Sequence, residues 1–307
     1  MLQRYTRIFL TGLVSVVGLS ALAACAEDSS ETSNSSMEHE QVVDVDWLEN
    51  EMEDENLLIL DARGADDYEA GHIPSAINTP WQQFAHMGDE PGTENWGVLL
   101  TEEELSERLS EIGISDDRQI VIYTDPNGWG EDGRIMWMLD MIGLTDVKML
   151  DGGWTAWETA DGEVSDVPTK STPSDFEVTS MDHSSFATTE YLAENMDDLK
   201  IIDTRSLTEY EGATDFGERR GGHIPGASHL YFKEFFNDDS TLKSEEEMVE
   251  IMDELGIAKD DTIVTYCTAG IRSAHMTMLL KMAGYENVMN YDASIYEWAG
   301  NEDLPLE

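Results

Sequence analysis

The two halves of this 307-residue chain repeat each other, and the repeat constrains the fold more than any other feature of the sequence. An apolar run ends in Asp61-Ala-Arg63 in the first half and in Asp203-Thr-Arg205 in the second, and a Gly-His-Ile-Pro segment follows each run. Later apolar runs end at Asp151 and Asp292. The two pairs of aspartates are separated by 142 (203 − 61) and 141 (292 − 151) residues. Two landmarks at nearly one offset indicate a duplicated domain.

Strand-type and helix-type patterns alternate within each copy. Apolar runs predict strands over residues 57–60, 120–123, 147–150, 200–202, 262–266 and 288–291. Periodic patterns predict helices over residues 101–112, 133–142, 244–255 and 273–282, the first of them behind a capping box of Thr101 and Glu104. This alternation is typical of an α/β fold with helices on both faces of a mostly parallel sheet. Ligands bind such sheets at the carboxyl ends of the strands.

The charge balance of the chain is strongly acidic. Lys and Arg total 17 and Asp and Glu total 65, so the formal net charge is −48. This charge excludes nucleic acid as a partner, because its phosphates would be repelled. It is typical of a solvated acidic surface, and a binding surface for a cationic partner is the alternative. An anionic substrate would need a locally positive site.

The N-terminal segment has the composition of an export signal. Arg4 and Arg7 precede an apolar stretch over residues 8–21, which is too short for a membrane span, and Leu-Ala-Ala-Cys25 follows it. This ending resembles the bacterial lipobox. It predicts a signal peptide at 1–24, a lipidated Cys25 and a disordered tether at 25–41, and therefore an extracytoplasmic protein that is lipid-anchored to the bacterial cell membrane. The alternative is an ordinary signal peptide cut nearby, in which Cys25 has no role.

Cys267 is the other of the two cysteines, and it has no disulfide partner in the chain if Cys25 carries lipid. It ends an apolar run, and a short loop with Gly270, then Arg272 and a helical pattern follow it. A helix N-terminus and a nearby cation both lower the pKa of a thiol. A buried, inert cysteine is the alternative, but Gly270 and Arg272 argue against it. The pattern therefore predicts a nucleophilic sulfur in an anion-binding loop.

Together these motifs resemble the rhodanese family of tandem-domain sulfurtransferases. The resemblance rests on both Asp-x-Arg strand ends, both Gly-His-Ile-Pro segments, the Asp-Gly-Gly-x-x-x-Trp end of the first half and the Cys-x-x-Gly-x-Arg loop of the second. It implies a catalytically silent domain at 42–165, a linker at 166–177 and a catalytic domain at 178–307. Counting back 142 residues from Cys267 reaches Asp125, which cannot carry sulfane sulfur. The alternative of a catalytic Asp125 lacks an evident acid–base partner.

The family resemblance also implies the chemistry. Cys267 would take sulfur from thiosulfate or 3-mercaptopyruvate as a persulfide and pass it to cyanide, sulfite or a thiol, with no metal or cofactor. The backbone N–H groups of the loop would cradle the anionic sulfur. The expected substrate-binding residues are Arg272, Arg205, Thr268, Ala269, Gly270, Ile271 and Ser273. For Ser273 a helix N-cap is an equally good interpretation.

The donor is less well specified than the nucleophile. Thr268 follows the cysteine where the resemblance leads us to expect a basic residue for thiosulfate or a small one for 3-mercaptopyruvate. Glu209 stands where a second basic residue is expected, which weakens the binding of an anionic donor. Arg272 favours thiosulfate, and Arg219 or Arg220, from an insertion of nine residues, could compensate. His72 and His223 are interpreted as structural, since no second ligand lies near them in sequence.

Three other functions are alternatives to sulfur transfer. A phosphatase or arsenate reductase needs a Cys-x5-Arg loop, whereas Arg272 follows Cys267 with four residues between them, a smaller ring that suits sulfur. A purely structural adhesin would not need a lone thiol. A surface lipoprotein that binds a partner, or that carries persulfide without turnover, stays open.

Overall fold

Two five-stranded parallel sheets, one from each half of the chain, form the framework of the fold. The computed structural model describes residues 36–88, 90–93 and 95–307. The predicted signal peptide, the lipidated Cys25 and most of the predicted tether lie outside the described residues. None of the helices in the described ranges is long and apolar enough to cross a membrane.

In its described part, the first half contains five strands and five α-helices in alternation. The strands are β1 (Val42–Val43), β2 (Leu57–Asp61), β3 (Ile77–Asn78), β4 (Gln119–Tyr123) and β5 (Val147–Leu150). The helices are α1 (Val45–Glu51), α2 (Ala65–Ala70), α3 (Glu102–Glu111), α4 (Glu131–Met141) and α5 (Gly153–Thr159). The strand order in the sheet is β1-β5-β4-β2-β3.

The second half repeats this arrangement. Its strands are β6 (Phe186–Ala187), β7 (Lys200–Asp203), β8 (Ser228–His229), β9 (Ile263–Tyr266) and β10 (Val288–Tyr291). Its helices are α6 (Thr189–Asn195), α7 (Leu207–Tyr210), α8 (Glu245–Glu254), α9 (Ile271–Met282) and α10 (Ser294–Gly300). The order β6-β10-β9-β7-β8 matches that of the first sheet, which confirms the α/β fold with two tandem domains.

The long elements lie where the sequence predicts them. All six predicted strands and all four predicted helices are present with bounds within two residues, and the capping box of Thr101 and Glu104 is formed. The sequence missed the edge strands β1, β3, β6 and β8, because two residues are too few to show an alternating pattern. Residues 168–182, which include most of the predicted linker, contain no helix or strand.

The predicted tether ends earlier than residue 41. Ser36 forms an antiparallel bridge with Lys243, and Met37 is 5 % exposed within the core. The backbone carbonyl of Gln41 accepts a hydrogen bond from Met149 N at 2.8 Å. Residues 36–41 are therefore part of the fold, because burial of Met37 and backbone pairing oppose the entropy of a free chain.

A single apolar core joins the two halves. It includes buried side chains of both α4 and α9, among them Trp137 and Met276. The two helices approach so closely that a Cβ on Gly133 would lie 2.4 Å from the Cα of His275. The close contact between α4 and α9 packs the first half of the chain directly against the second.

Candidate active site

Cys267 directly follows β9, a strand between β10 and β7 in the second sheet. Tyr266, the last residue of that strand, is paired with Asp203 and donates its hydroxyl proton to Asp203 Oδ2 at 2.6 Å. The Tyr266 hydroxyl also accepts a hydrogen bond from Ile224 N in the Gly-His-Ile-Pro segment. Strand pairing and these bonds fix the backbone on which Cys267 is carried.

The loop after Cys267 turns sharply into α9. Gly270 adopts a left-handed conformation with φ +80°, and a Cβ at this position would lie 2.5 Å from the Asp292 carbonyl oxygen. Glycine is therefore required here. The loop brings the backbone N–H groups of Ala269 and Ser273 toward the Cys267 sulfur. This cradle of donors at the N-terminus of a twelve-residue helix is the anion site that the sequence predicts.

The environment of the Cys267 thiol favours its anionic form. The residue is 1 % exposed, and burial raises the pKa of the thiol. The charge of Arg272 and the hydrogen bonds from Ser273 and Ala269 act in the opposite direction and prevail, so the pKa lies below its ordinary value. Cys267 is therefore suited to act as a nucleophile.

Arg272 is held by a carboxylate rather than left free. Its guanidinium donates to Glu209 Oε2 at 2.8 Å and to Glu209 Oε1 at 2.7 Å, and both residues are at most 3 % exposed. Thr268 joins the two, since Arg272 donates to its hydroxyl at 2.6 Å and that hydroxyl donates to Glu209 at 3.0 Å. Burial opposes the ionisation of Glu209, but Arg272 and Ser206 outweigh it and lower the pKa to about 2. Arg272 thus orients the loop with its charge balanced.

Arg205 has a structural role. Its guanidinium donates to Asp203 Oδ2 at 2.6 Å and to the Gly222 carbonyl at 2.8 Å, and the residue is 1 % exposed. Arg63 makes the same two contacts, to Asp61 and Gly71, in the half that has no thiol. The shared geometry indicates that this arginine holds the Gly-His-Ile-Pro segment. Arg205 is absent from the described residues that line the cavity at Cys267, where the sequence led us to expect it.

Ser273 is not the N-cap of α9. The helix begins at Ile271 with Gly270 as its N-cap, so Ser273 lies inside the first turn. Its hydroxyl donates to Asn290 Oδ1 at 2.6 Å, and the residue is fully buried. The prediction of an N-cap is wrong because the helix begins at Ile271, two residues earlier than the sequence pattern predicts.

A cavity of about 470 Å³ opens in front of Cys267. The second half lines it with Phe216, Cys267, Thr268, Ala269, Ile271, Arg272 and Tyr296. The first half lines it with Gly64, Trp81, Gln82, Trp96, Trp129 and Glu131. The half without a thiol therefore builds much of the wall around the nucleophile. The predicted residues Gly270 and Ser273 are not among the described residues that line this cavity.

The aromatic wall of this cavity was not predicted from the sequence. Trp129 and Phe216 are 43 % and 39 % exposed, which is unusual for side chains of their size. Phe216 belongs to the nine-residue insertion, and Trp96 to a segment where the first half is longer. These differences in length between the two copies are the sequence signal from which the aromatic wall could have been predicted.

The two arginines of the insertion do not supply a charge to this cavity. Arg220 donates to four backbone carbonyls near the end of the chain, those of Trp298, Ala299, Asn301 and Leu304. Arg219 lines a separate cleft of about 610 Å³, together with Glu190 and Glu297. That cleft is larger, but Cys267 is not among its described lining residues.

Thr124, not Asp125, is the counterpart of Cys267 in the first half. Tyr123 pairs with Asp61 and hydrogen-bonds to it as Tyr266 does with Asp203, so the residue after each tyrosine is equivalent. Trp154 N donates to the Thr124 carbonyl just as Ile295 N donates to that of Cys267. The offset between the copies is 143 at this point (266 − 123), which is why counting back 142 residues was wrong.

The loop after Thr124 is longer than its counterpart. It reaches the left-handed Gly130 in six steps, whereas Cys267 reaches Gly270 in three. Asp125 accepts hydrogen bonds from Asn127 within this loop. The first half still lacks a thiol, and its longer loop carries Trp129 into the cavity.

The histidines have structural roles. His72 stacks on Tyr68 and His223 on Tyr210, and each ring hydrogen-bonds to the carbonyl of the tyrosine beneath it. Burial lowers the pKa of His275 to about 4. Within the described ranges, no three His, Cys, Asp or Glu side chains gather into a group that could hold a metal ion.

Comparisons with known proteins agree with this geometry. The rhodanese-like domain family matches the chain twice, at residues 44–160 and 188–301. A sulfur carrier protein, TtuD of Thermus thermophilus, is 33 % identical over 87 % of this chain and 96 % of its own length. A thiosulfate sulfurtransferase of Azotobacter vinelandii is 32 % identical over 82 % of this chain and 91 % of its own length.

Solved structures share the fold. An anaerobic ergothioneine biosynthesis enzyme from Chlorobium limicola aligns with a TM-score of 0.78 at 21 % identity, covering 87 % of this chain and 70 % of that one. The repeated fold of the two halves and the thiol at the carboxyl end of β9 agree with the family match, which covers most of the described residues. The chain belongs to the rhodanese family of sulfurtransferases, with two tandem domains of which the second holds the thiol.

Proposed function

We propose that the protein transfers sulfane sulfur from thiosulfate to a thiophilic acceptor through a persulfide on Cys267, with 3-mercaptopyruvate as the second candidate donor. The observation that carries this proposal is the position of the thiol. Cys267 has a lowered pKa, lies at the N-terminus of α9 and lines an open cavity. A stabilised thiolate with access to small molecules is what attack on a sulfane sulfur requires.

In the first half-reaction the Cys267 thiolate attacks the outer sulfur of thiosulfate. A new S–S bond forms at Cys267, the S–S bond of the donor breaks, and its electron pair leaves with sulfite. The negative charge remains on the outer sulfur of the persulfide. The N–H groups of Ala269 and Ser273 and the positive end of α9 stabilise that charge.

In the second half-reaction an acceptor such as cyanide or a thiolate attacks the outer sulfur of the persulfide. The bond between that sulfur and Cys267 breaks, and its electron pair returns to Cys267 as the thiolate. Sulfane sulfur moves from donor to acceptor without an external oxidant or reductant. No side-chain base is needed, because the nucleophile is already an anion in both steps.

The names of the relatives support thiosulfate as the sulfur donor. The charges around the cavity, in contrast, do not favour the binding of an anion. The relative from Azotobacter vinelandii is called a thiosulfate sulfurtransferase. Arg272 is the single cationic side chain among the described residues of the cavity wall, and Glu209 balances it. We therefore expect thiosulfate to bind weakly, with a high KM.

Phosphate chemistry is not favoured by the loop. Arg272 is engaged on both terminal nitrogens by Glu209 and Thr268, so its guanidinium is not available to grip a phosphate. The loop between Cys267 and Arg272 is also one residue shorter than the Cys-x5-Arg loop that a phosphatase needs.

Steady-state turnover tests the proposal. Thiosulfate and cyanide should give thiocyanate over many cycles with the wild-type protein and none with Cys267→Ser. A carrier without turnover would instead take up one sulfur per protein and stop. Absence of any sulfur on Cys267 after exposure to thiosulfate and to 3-mercaptopyruvate would contradict both versions.

We also propose that the protein is exported and anchored through a lipid on Cys25. The proposal is supported by the basic start, the short apolar stretch and the Leu-Ala-Ala-Cys25 ending of the N-terminal segment. Incorporation of a radiolabelled fatty acid into the expressed protein tests it, and a protein that stays unlabelled while a known lipoprotein in the same cells is labelled would contradict it.

A further inference from the structure

Five aromatic rings line the cavity at Cys267, and they form two groups. Trp96 packs edge-on against Trp81 at 6.0 Å and against Tyr296 at 5.4 Å between ring centroids. Trp129 packs edge-on against Phe216 at 5.2 Å. The face of an aromatic ring is electrically negative, and walls of several rings are the usual binding site for quaternary ammonium groups.

Packing between the domains accounts for only some of these rings. Trp81 and Tyr296 are 8 % and 5 % exposed and belong to a small buried cluster with Ala269 and Ile271. Trp129 and Phe216 remain exposed, although a purely structural ring would be buried more deeply. Arg272 lies over the Trp129 ring, with its Cζ 4.9 Å from the ring centroid, so the ring surface available to a ligand is the exposed part that Arg272 leaves uncovered.

The charges around the cavity favour a cation. Glu131 lines the cavity, and its Oε2 is held by Trp129 N at 2.9 Å and by the Thr124 hydroxyl at 3.0 Å. The charged side chains of the wall are Glu131 and Arg272, and Glu209, which is not a lining residue, balances Arg272. Burial raises the pKa of Glu131, and above that pKa the three side chains together carry one net negative charge. The persulfide on Cys267 adds another negative charge. An anionic acceptor would be repelled here, whereas a cation would be attracted.

The segments that carry these groups are those in which the two halves differ. Trp129 and Glu131 lie in and directly after the loop that is three residues longer than its counterpart. Phe216 lies in the nine-residue insertion of the second half, and its carbonyl accepts the Tyr296 hydroxyl at 2.6 Å. The segments that differ between the two copies therefore lie together at the cavity in front of Cys267.

From this arrangement we propose that the acceptor is a small organic thiol that carries a quaternary ammonium group, bound between the two groups of rings and next to Glu131. The inference rests on the proposed sulfurtransferase function and names its acceptor class. The acceptor thiolate attacks the outer sulfur of the Cys267 persulfide, an S–S bond forms to the acceptor, and the Cys267–sulfur bond breaks. Its electron pair returns to Cys267, and the product is the persulfide of the cationic thiol.

Three thiols of matched length test the acceptor class: thiocholine, 2-mercaptoethanol and 2-mercaptoethanesulfonate. The protein is first loaded with thiosulfate and its persulfide is verified by intact mass, so a failure of the proposed function is seen before any acceptor is added. The rate of sulfur loss is then measured for each thiol, expressed per thiolate and divided by its rate with a small-molecule persulfide. Salt at 1 M reduces the Debye length to about 3 Å and removes long-range attraction to the acidic surface.

Thiocholine should react at least about tenfold faster than 2-mercaptoethanesulfonate under these conditions, with 2-mercaptoethanol between them. The preference should fall to within about threefold in Trp129→Leu and in Glu131→Gln, whose amide oxygen still accepts from Trp129 N. The matched control is Tyr191→Leu, an exposed aromatic on α6 outside the cavity, and it should keep the full preference.

Two results would overturn the inference while leaving the sulfurtransferase function intact. One is equal corrected rates for the three thiols with a persulfide that forms normally. The other is a thiocholine preference that survives in both Trp129→Leu and Glu131→Gln, because the cavity wall would then not be its source.

Discussion

Glu209 and Arg272 form a buried bidentate ion pair beside the nucleophile, with nitrogen–oxygen distances of 2.7 and 2.8 Å. The pair explains why an acidic residue stands at a position where the family resemblance led us to expect a basic one. Glu209 fixes the arginine that faces Cys267 and removes most of its attraction for anions at the cavity. The ion pair therefore orders the loop and lowers the affinity of the site for an anionic donor.

Glu209→Gln should separate these two roles. Without the carboxylate, the charge of Arg272 is uncompensated, so the pKa of Cys267 should fall further and the pH–rate profile should shift to lower pH. The KM for thiosulfate should decrease by about tenfold, while the free energy of unfolding should decrease by about 3 kcal/mol. Steady-state kinetics across pH and urea unfolding measure both.

Glu247→Gln is the matched control for that variant. Glu247, like Glu209, closes a capping box at a helix N-terminus, but its box is on α8. It should lower stability without moving the KM or the pH profile. An unchanged KM in Glu209→Gln would show that Arg272 does not contact the donor.

Arg134 should act as a positioning residue from the half that lacks a thiol. It forms an ion pair with Asp292 and donates to the carbonyls of Gly270 at 3.3 Å and Gly97 at 3.1 Å. Arg134→Lys loses the planar fork that reaches all three, so kcat/KM should fall by about 10- to 100-fold. The acid limb of the pH–rate profile should also move upward, because the loop no longer holds its N–H groups on the sulfur.

Lys281→Met provides the comparison for Arg134→Lys. Lys281 pairs with Asp140 across the two halves, away from the loop, so its loss should change stability slightly and the pH profile not at all. Equal effects of the two variants on kcat/KM would contradict this role. They would mean that Arg134 only helps to hold the two halves together and does not position the loop after Cys267.

Asp132→Asn should stabilise the protein in a pH-dependent way. Burial raises the pKa of Asp132 to about 6, so the folded state prefers the neutral acid, and the destabilisation grows as pH rises through that value. His275, 3.6 Å away, is neutral above its pKa of about 4 and cannot compensate the charge. Asn should add about 3 kcal/mol at pH 8 and about half as much at pH 5.

Chemical unfolding at the two pH values measures that gain, with Asp116→Asn, on an exposed loop, as the control. The control should show no comparable increase. A gain for Asp132→Asn that is larger at pH 5 than at pH 8 would contradict the assignment of a raised pKa.

Cys25→Ala should release the protein from the membrane fraction without changing its specific activity. The reason is that the proposed anchor and the active site lie in separate parts of the sequence. Cell fractionation with immunodetection measures the location, and thiocyanate formation measures the activity. Retention of Cys25→Ala in membranes would contradict the lipid anchor.

The sequence predicted the framework well because its signals are local. Apolar runs such as Ile263–Tyr266 and the capping box at Thr101 depend on neighbouring residues alone. The position of Cys267 followed from the same signals, since a strand end and a helix start define it. The two-residue edge strands are too short to show an alternation of apolar and polar residues, so the sequence did not predict them.

The site could be predicted only in part because its walls come from distant segments. Trp129 and Phe216 meet at one cavity only after the two halves pack together. Glu209 was recognised as unusual, but its bond to Arg272, 63 residues away, is a tertiary contact. The misassignment of Asp125 arose because the offset between the copies is 142 at Asp61 and Asp203 but 143 at Tyr123 and Tyr266, a change that no composition or period reveals.

Intact-mass and peptide mass spectrometry after exposure to thiosulfate tests the Cys267 persulfide most directly. We expect a mass increase of one sulfur atom on the peptide that contains Cys267, its loss when cyanide is added, and the appearance of an equal amount of thiocyanate. A protein that forms thiocyanate without sulfur on Cys267, or that never acquires the added mass from either candidate donor, would contradict it.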